Sequence, residues 1–90
     1  MTLMNLIYFA GLEYMGVTSG PFCQRITSKT ECEEAAKELG LSGTEAEEET
    51  VSNYPPNCYF STDGGARLWF NNDGDSAEHC DRNQICICKK

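Results

Sequence analysis

The chain has 90 residues, six of which are cysteines, and a formal net charge of −7 at pH 7. A chain of this length forms one small domain whose core alone gives thin stability, so an even cysteine count predicts three disulfides. Disulfides predict an oxidising compartment, either extracellular or the lumen of an organelle. The acidic balance argues against nucleic acid as a partner and against an anionic membrane surface, because both need a basic face.

The negative charge is concentrated in residues 31–50, which hold eight glutamates and one lysine and so carry a net charge of −7. Acids and bases balance over the rest of the chain. Residues 31–50 are interpreted either as a solvated acidic surface or as a segment that meets a basic partner.

Residues 1–22 contain no cysteine but many apolar side chains, and glycines interrupt them. The apolar stretch 6–12 is too short to span a bilayer, and no basic residue precedes it as in a secretory signal. We expect a targeting sequence upstream, and we predict an apolar N-terminal arm over 1–22. The arm either covers the disulfide domain or docks on a larger assembly, including one associated with a membrane. In the docking case, the predicted contact residues are Leu6, Ile7, Tyr8, Phe9, Leu12, Tyr14 and, from a later hairpin, Trp69.

The segment "SKTECEEAAKELG", residues 28–40, predicts the one helix. Two pairs offer a capping box at its start, Thr30 with Glu33 and Ser28 with Glu31. The final glycine is a natural C-terminal stop.

One face of this helix is narrow and small-sided, so the helix can pack closely on a sheet, and Cys32 is placed to be linked to that sheet. At helical spacing the residues on this face are Cys32, Ala35, Ala36 and Leu39.

Residues 41–57 are polar and charged and predict a loop, which Tyr54-Pro55-Pro56 stiffens at its end. A β-hairpin follows: Cys58–Ser61 and Ala66–Asn71 suit two strands, and Thr62–Gly65 suits the turn. Strand alternation sends Leu68 and Phe70 to one face of the hairpin. The opposite face receives Arg67, Trp69 and Asn71.

Residues 71–84 predict a second polar loop. Asn71, Asp73 and Asp75 alternate like early calcium ligands, but the sixth position is Ser76 and the twelfth is Arg82. This pattern favours a solvated turn over a calcium site.

The closing "ICICKK" predicts a strand with Cys86 and Cys88 on one side. These two cysteines need separate partners, for which Cys32 and either Cys23 or Cys58 are candidates. The spacings do not choose among the possible pairings. A zinc site at His79, Cys80, Cys86 and Cys88 is disfavoured because the usual C-x-x-C knuckles are missing. We expect no metal and no cofactor.

His79 is the only histidine, and six paired cysteines leave no thiol nucleophile, so we expect a protein that is not an enzyme. Aromatic residues are the stronger functional signal, because aromatic side chains serve protein contacts and sugar stacking alike. The candidate ligand-binding residues are Tyr54, Tyr59 and Trp69, although the same rings, with Phe70, also suit a small core.

The strings "CQRITSKTECEEAAKELGL", "YPPNCYF", "RLWFN", "HC" and "CICK" together resemble a small six-cysteine domain of algal proteins, especially those of dinoflagellates. The resemblance covers residues 23–90 and all six cysteines, Cys23, Cys32, Cys58, Cys80, Cys86 and Cys88. Asn57 stands where that group usually has glycine, and Trp69 occupies an aromatic position. The resemblance implies a disulfide module and names no substrate.

We therefore predict an α+β fold, with one helix packed on a short antiparallel sheet and three disulfides holding residues 23–90. The leading functional expectation is a structural or accessory subunit on a larger assembly. With the resemblance, this suggests a lumenal subunit of an algal photosynthetic complex. The alternatives are a secreted module that binds a carbohydrate or a cell-surface partner, and a small secreted effector or inhibitor.

Overall fold

The computed structural model describes residues 13–20 and 23–90. The elements in chain order are β1 (Tyr14–Val17), β2 (Gln24–Arg25), α1 (Lys29–Glu38), β3 (Ala46–Glu49), β4 (Asn57–Ser61), β5 (Arg67–Asn71) and β6 (Gln84–Lys89). The helix packs on a six-stranded sheet, so the predicted small, disulfide-rich α+β class is confirmed.

The strands are arranged in the order β1-β6-β4-β5-β3, and β2 also pairs with the end of β6. Every pairing is antiparallel except that of β3, which runs parallel to β5. The sheet is therefore mixed, rather than purely antiparallel as the sequence predicted.

The helix begins at the second of the two predicted caps. Ser28 is the N-cap, and its hydroxyl accepts the Glu31 N–H at 3.1 Å. At the other end Gly40 adopts a φ of 72°, and the N–H groups of Gly40 and Leu41 donate to the carbonyls of Lys37 and Ala36. This pair of bonds is the Schellman motif that a glycine after the last turn favours.

The core lies between α1 and one face of the sheet. Leu68 and Phe70 point into it, as the alternation predicts, and so do Ile85 and Ile87. The helix contributes the small side chains of Cys32, Ala35 and Ala36, which are fully buried. Small residues on the helix let it lie close to the larger side chains of the sheet.

All six cysteines are paired, with Cα–Cα distances of 5.4 to 5.5 Å, which are typical of disulfides. Cys32–Cys58 links α1 to β4, as expected for a helix cysteine that points at the sheet. Cys23–Cys88 and Cys80–Cys86 lie on the opposite face, against Met15 and Val17.

The predicted same-side placement of Cys86 and Cys88 is confirmed, and Cys23 is one of their partners. Cys32 is not, because β6 turns both cysteines away from the helix. Three disulfides are consistent with an oxidising compartment. Within the described residues, no helix has the length and apolar character needed to cross a bilayer.

The loop predicted over 41–57 is wrong in its middle, where residues 46–49 form the edge strand β3. The sequence did not predict this strand because three of its four residues are glutamate, which has low strand propensity. Tertiary contacts form it instead: Ala46 is buried, and its N–H donates to the Glu33 carboxylate of the helix at 2.8 Å.

The described part of the predicted N-terminal arm forms a strand of the sheet. Residues 14–17 pair with β6, with Tyr14 opposite Lys89 and Val17 opposite Cys86. They therefore belong to the same sheet as the disulfide domain. The described part of the arm thus extends the sheet formed by residues 23–90. The predicted contact residues Leu6, Ile7, Tyr8, Phe9 and Leu12 lie outside the described residues.

Candidate ligand-binding groove

Strand register places two aromatic side chains together on the sheet face that points away from the helix. Tyr59 on β4 lies directly opposite Trp69 on β5. Facing residues of an antiparallel pair point to the same side, which makes the two rings neighbours. Tyr59 is buried, with 1% of its surface exposed, and Trp69 is half-buried.

Tyr54 completes this aromatic cluster from the loop before β4. Its ring stacks on that of Tyr59, with centroids 6.0 Å apart and planes 20° from parallel. Tyr54 keeps 39% of its surface exposed and is the one exposed large hydrophobic residue in the described part of the chain. The three predicted ligand-binding residues therefore meet at one place, with the degree of exposure falling from Tyr54 to Tyr59.

Asn71 holds the loop that carries Tyr54. Its side-chain NH₂ donates to the carbonyls of Val51 at 2.8 Å, Tyr54 at 3.2 Å and Pro55 at 3.0 Å. Its side-chain oxygen accepts the N–H groups of Val51 and Asp73, each at 3.1 Å. A fully buried amide thus satisfies backbone groups of two loops at once.

Two further features fix the same loop. The Ser76 hydroxyl donates to the Tyr54 carbonyl at 2.6 Å. Asn57, at the start of β4, adopts a φ of 64°, which glycine and asparagine tolerate better than other residues do. The backbone on both sides of Tyr54 is therefore constrained, and the ring above it is positioned in advance of any ligand.

A carboxylate stands beside the rings. Tyr59 donates its hydroxyl to Glu49 on β3, and this contact raises the pKa of Tyr59 well above its ordinary value, with burial as the larger cause. The Tyr59 hydroxyl is the donor in this bond. Glu49 accepts that bond and lines the groove beside it.

Together these side chains line an open groove of about 300 Å³, the lower end of the range typical of small-molecule sites. The Arg67 guanidinium is paired with the Glu47 carboxylate at the groove rim. The full set of lining residues is Glu49, Tyr54, Tyr59, Ser61, Asp63, Arg67, Trp69 and Gln84. Aromatic surface with a few polar groups is an arrangement that can stack on a ligand and orient it.

Tyr14, the one described member of the predicted docking set besides Trp69, is not part of this groove. It lies on β1, at the opposite edge of the sheet from β3. Its hydroxyl donates to the Glu31 carboxylate at 2.9 Å, and this bond is the main reason that its pKa is raised to about 12. Tyr14 packs partly against the core, so within the described residues it links β1 to the helix.

The side chains of the two disfavoured metal sites, for zinc and for calcium, have other roles in the structure. Cys80, Cys86 and Cys88 are all in disulfides, which removes the thiolates that a zinc site would need. Asn71 binds backbone groups, and the Asp73 carboxylate accepts the Asp75 N–H at 3.1 Å within the turn. Among residues 13–20 and 23–90, no three metal-ligating side chains come together.

Five lining residues were not among the predicted ligand-binding residues: Glu49, Ser61, Asp63, Arg67 and Gln84. Glu49 was assigned to a loop, and only the pairing of β3 with β5 brings it beside Tyr59. The alternation Arg67, Trp69, Asn71 did place one wall on the correct face. No sequence signal predicted that Asn71 would be buried or that it would hold the Tyr54 loop.

Comparison of the chain with protein-family models, with curated proteins and with solved structures finds no significant match.

Proposed function

We propose that the chain is a non-catalytic binding module whose ligand sits in the groove lined by Tyr54, Tyr59 and Trp69. The observation that carries this proposal is the support given to an exposed ring. Tyr54 is partly exposed to solvent, yet the Asn71 and Ser76 side chains donate hydrogen bonds to its own carbonyl and to others in residues 51–55. Holding a side chain in place before binding reduces the entropy lost when a ligand arrives.

The ligand class that this surface supports is a carbohydrate or another cell-surface partner. Sugar rings present C–H faces that stack on aromatic rings, while their hydroxyls bind side chains such as those of Asp63 and Gln84. In this role the oxidising compartment would be extracellular.

Trp69 provides the test, because it is the only tryptophan in the chain and lines the groove. Soluble oligosaccharides selected on a glycan array would be titrated against the protein while its fluorescence is recorded. Tyr54→Ala is expected to weaken binding by about tenfold, because the stacking surface is lost. Tyr54→Phe keeps the ring and is the matched control, with affinity within about twofold. A folded protein that binds no array glycan, or binds equally after Tyr54→Ala, would contradict the proposal.

A second candidate is an accessory subunit that docks on a larger assembly through residues 1–22. It is supported by the apolar composition of that segment and by the attachment of β1 to the sheet, which would anchor a docked arm rigidly to the domain. The resemblance to algal domains makes a lumenal subunit of a photosynthetic complex the specific form of this proposal, and the thylakoid lumen its compartment.

Gentle purification from the native source tests this second candidate. A docked subunit would co-migrate with a large complex, whereas a chain lacking residues 1–12 would be recovered free of it. Recovery of the intact chain as a lone monomer would contradict docking and leave the groove proposal standing.

A further inference from the structure

We infer that the ligand of the aromatic groove carries an organic ammonium group, which binds against the accessible rings of Tyr54 and Trp69 beside the Glu49 carboxylate. This inference rests on the proposed binding function and specifies the chemical class of the ligand. The groove has aromatic surface and uncompensated negative charge in the same place, and few ligand groups match both.

The charges around the groove favour a cation. Of the three charged residues that line it, Arg67 is already paired with Glu47 at the rim. Within the described part of the chain, Glu49 and Asp63 have no ion-pair partner. The two carboxylates therefore leave the interior of the groove negative.

The wider field has the same sign. β3 brings three glutamates of the acidic 31–50 segment to the edge of the sheet next to the groove, and of these Glu47 is paired with Arg67 and Glu48 with Lys29, which leaves the charge of Glu49 unpaired. The concentration of like charge near an aromatic cleft raises the local concentration of cations and speeds their arrival. The acidic segment was predicted to meet a basic partner, and the aromatic residues were predicted to bind a ligand. These two surfaces are thus neighbours in the structure.

The aromatic rings are a second, independent reason for the groove to prefer a cation. The faces of Tyr and Trp rings carry negative electrostatic potential and attract ammonium groups, especially where a carboxylate stands nearby. One side of the Tyr54 ring is stacked on Tyr59, and part of its surface remains open to solvent. Because a neutral sugar gains nothing from the net charge, its affinity would be lower than that of an ammonium compound of the same shape.

The test uses two pairs of probes, each with one ammonium and one neutral member. Choline is compared with its neutral carbon isostere 3,3-dimethylbutan-1-ol, and glucosamine with glucose, which carries a hydroxyl in place of the ammonium group. Binding is followed by Trp69 fluorescence at low ionic strength. Each ammonium member is expected to bind about tenfold more tightly than its neutral partner, and added salt reduces the difference. A lysine peptide amide, blocked at both ends, represents a lysine side chain of a protein partner, and choline represents a free small molecule. The probe with the higher affinity shows which of the two carries the ammonium group.

Glu49→Gln removes the charge while its amide oxygen can still accept the Tyr59 hydroxyl. This variant is expected to weaken ammonium binding by about fivefold and to leave binding of the neutral probes unchanged. Glu48→Gln is the matched control, because Glu48 is the adjacent residue of β3 and pairs with Lys29 instead. Asp63→Asn, in the exposed turn, gives a second charge variant if Glu49→Gln folds poorly.

Equal binding of charged and neutral probes, with no effect of Glu49→Gln or Asp63→Asn, would overturn the ammonium inference and leave the binding module intact. Absence of binding by every probe, together with a failed glycan screen, would overturn both proposals. Equal losses in Glu48→Gln and Glu49→Gln would also overturn the inference, because they would show a general field effect without a site.

Discussion

Tyr59 links the groove to the stability of the fold. The pKa of its hydroxyl is raised above the ordinary value of 10.0 in the folded state, by burial and by its bond to Glu49. Below pH 10 both states hold the proton, so the stabilisation is fully present. Above about pH 10 the unfolded chain ionises first, and stability is lost as the pH rises.

The free energy of unfolding should therefore fall above about pH 10 with a slope of up to about 1.4 kcal/mol per pH unit from this residue. Brief denaturant titrations across this range would measure the slope. Tyr59→Phe is expected to reduce the slope and to leave the part that Tyr14 contributes between about pH 10 and about 12, whereas Tyr54→Phe is expected to keep the full slope. An unchanged slope in Tyr59→Phe would show that other groups control alkaline unfolding.

At the scale of elements, the loop before β4 depends on one side chain from β5. Asn71→Asp keeps the shape of Asn71 but replaces its two donors with acceptors that face the carbonyls of residues 51–55. We expect a loss of about 3 kcal/mol or more in the free energy of unfolding, because the oxygen that replaces the NH₂ group faces carbonyls, and only the Val51 and Asp73 N–H groups still pair with the buried charge. Urea denaturation would measure it.

Asn53→Asp is the control for this change, since Asn53 is exposed in the same loop, and its effect should stay within about 0.5 kcal/mol. Similar losses in the two variants would mean that negative charge in the loop, and not the lost donors of Asn71, is responsible. Asn71 thus acts as a positioning residue for Tyr54, through the backbone of the loop that carries it.

At the scale of the whole molecule, the three disulfides close loops of very different length. Their sequence separations are 65 for Cys23–Cys88, 26 for Cys32–Cys58 and 6 for Cys80–Cys86. In the chain-entropy model, a longer closed loop restricts the unfolded chain more. The expected contributions are about 4.3, about 3.5 and about 2.2 kcal/mol respectively.

Double Cys→Ala variants, one per disulfide, test this order by guanidinium denaturation. Removal of Cys23–Cys88 is expected to cost the most and removal of Cys80–Cys86 the least. Because five of the six cysteines are buried and Cys23 is partly buried, the short loop serves as the internal control for loss of packing. A cost for Cys80–Cys86 equal to that for Cys23–Cys88 would show that local packing, and not chain entropy, dominates.

Several elements could be predicted from the chain because their causes are local. The helix has its cap at Ser28, its small-sided face and its terminal Gly40 within a few residues of one another. The hairpin has an alternating pattern and a Gly64-Gly65 turn, with both glycines at positive φ. The sidedness of Cys86 and Cys88 follows from the two-residue period of any strand.

Features that depend on distant residues could not be predicted. β3 reads as a loop because Glu47, Glu48 and Glu49 have low strand propensity, and it forms only because β5 and the helix provide its partners. The pairing of Cys23 with Cys88 depends on β2 reaching β6 from far away in the chain. The same is true of Glu49 in the groove, which no local pattern places beside Tyr59.

Composition and local spacing were thus sufficient for the α+β class, the three disulfides, the one helix and the candidate aromatic residues, because each rests on short-range periodicity or on chain length. Folding decided the disulfide pairing, the parallel edge strand, the burial of Asn71 and the meeting of Tyr54, Tyr59 and Trp69 with Glu49. These depend on strand register and on contacts between residues far apart in sequence, and such contacts leave no pattern within any single segment.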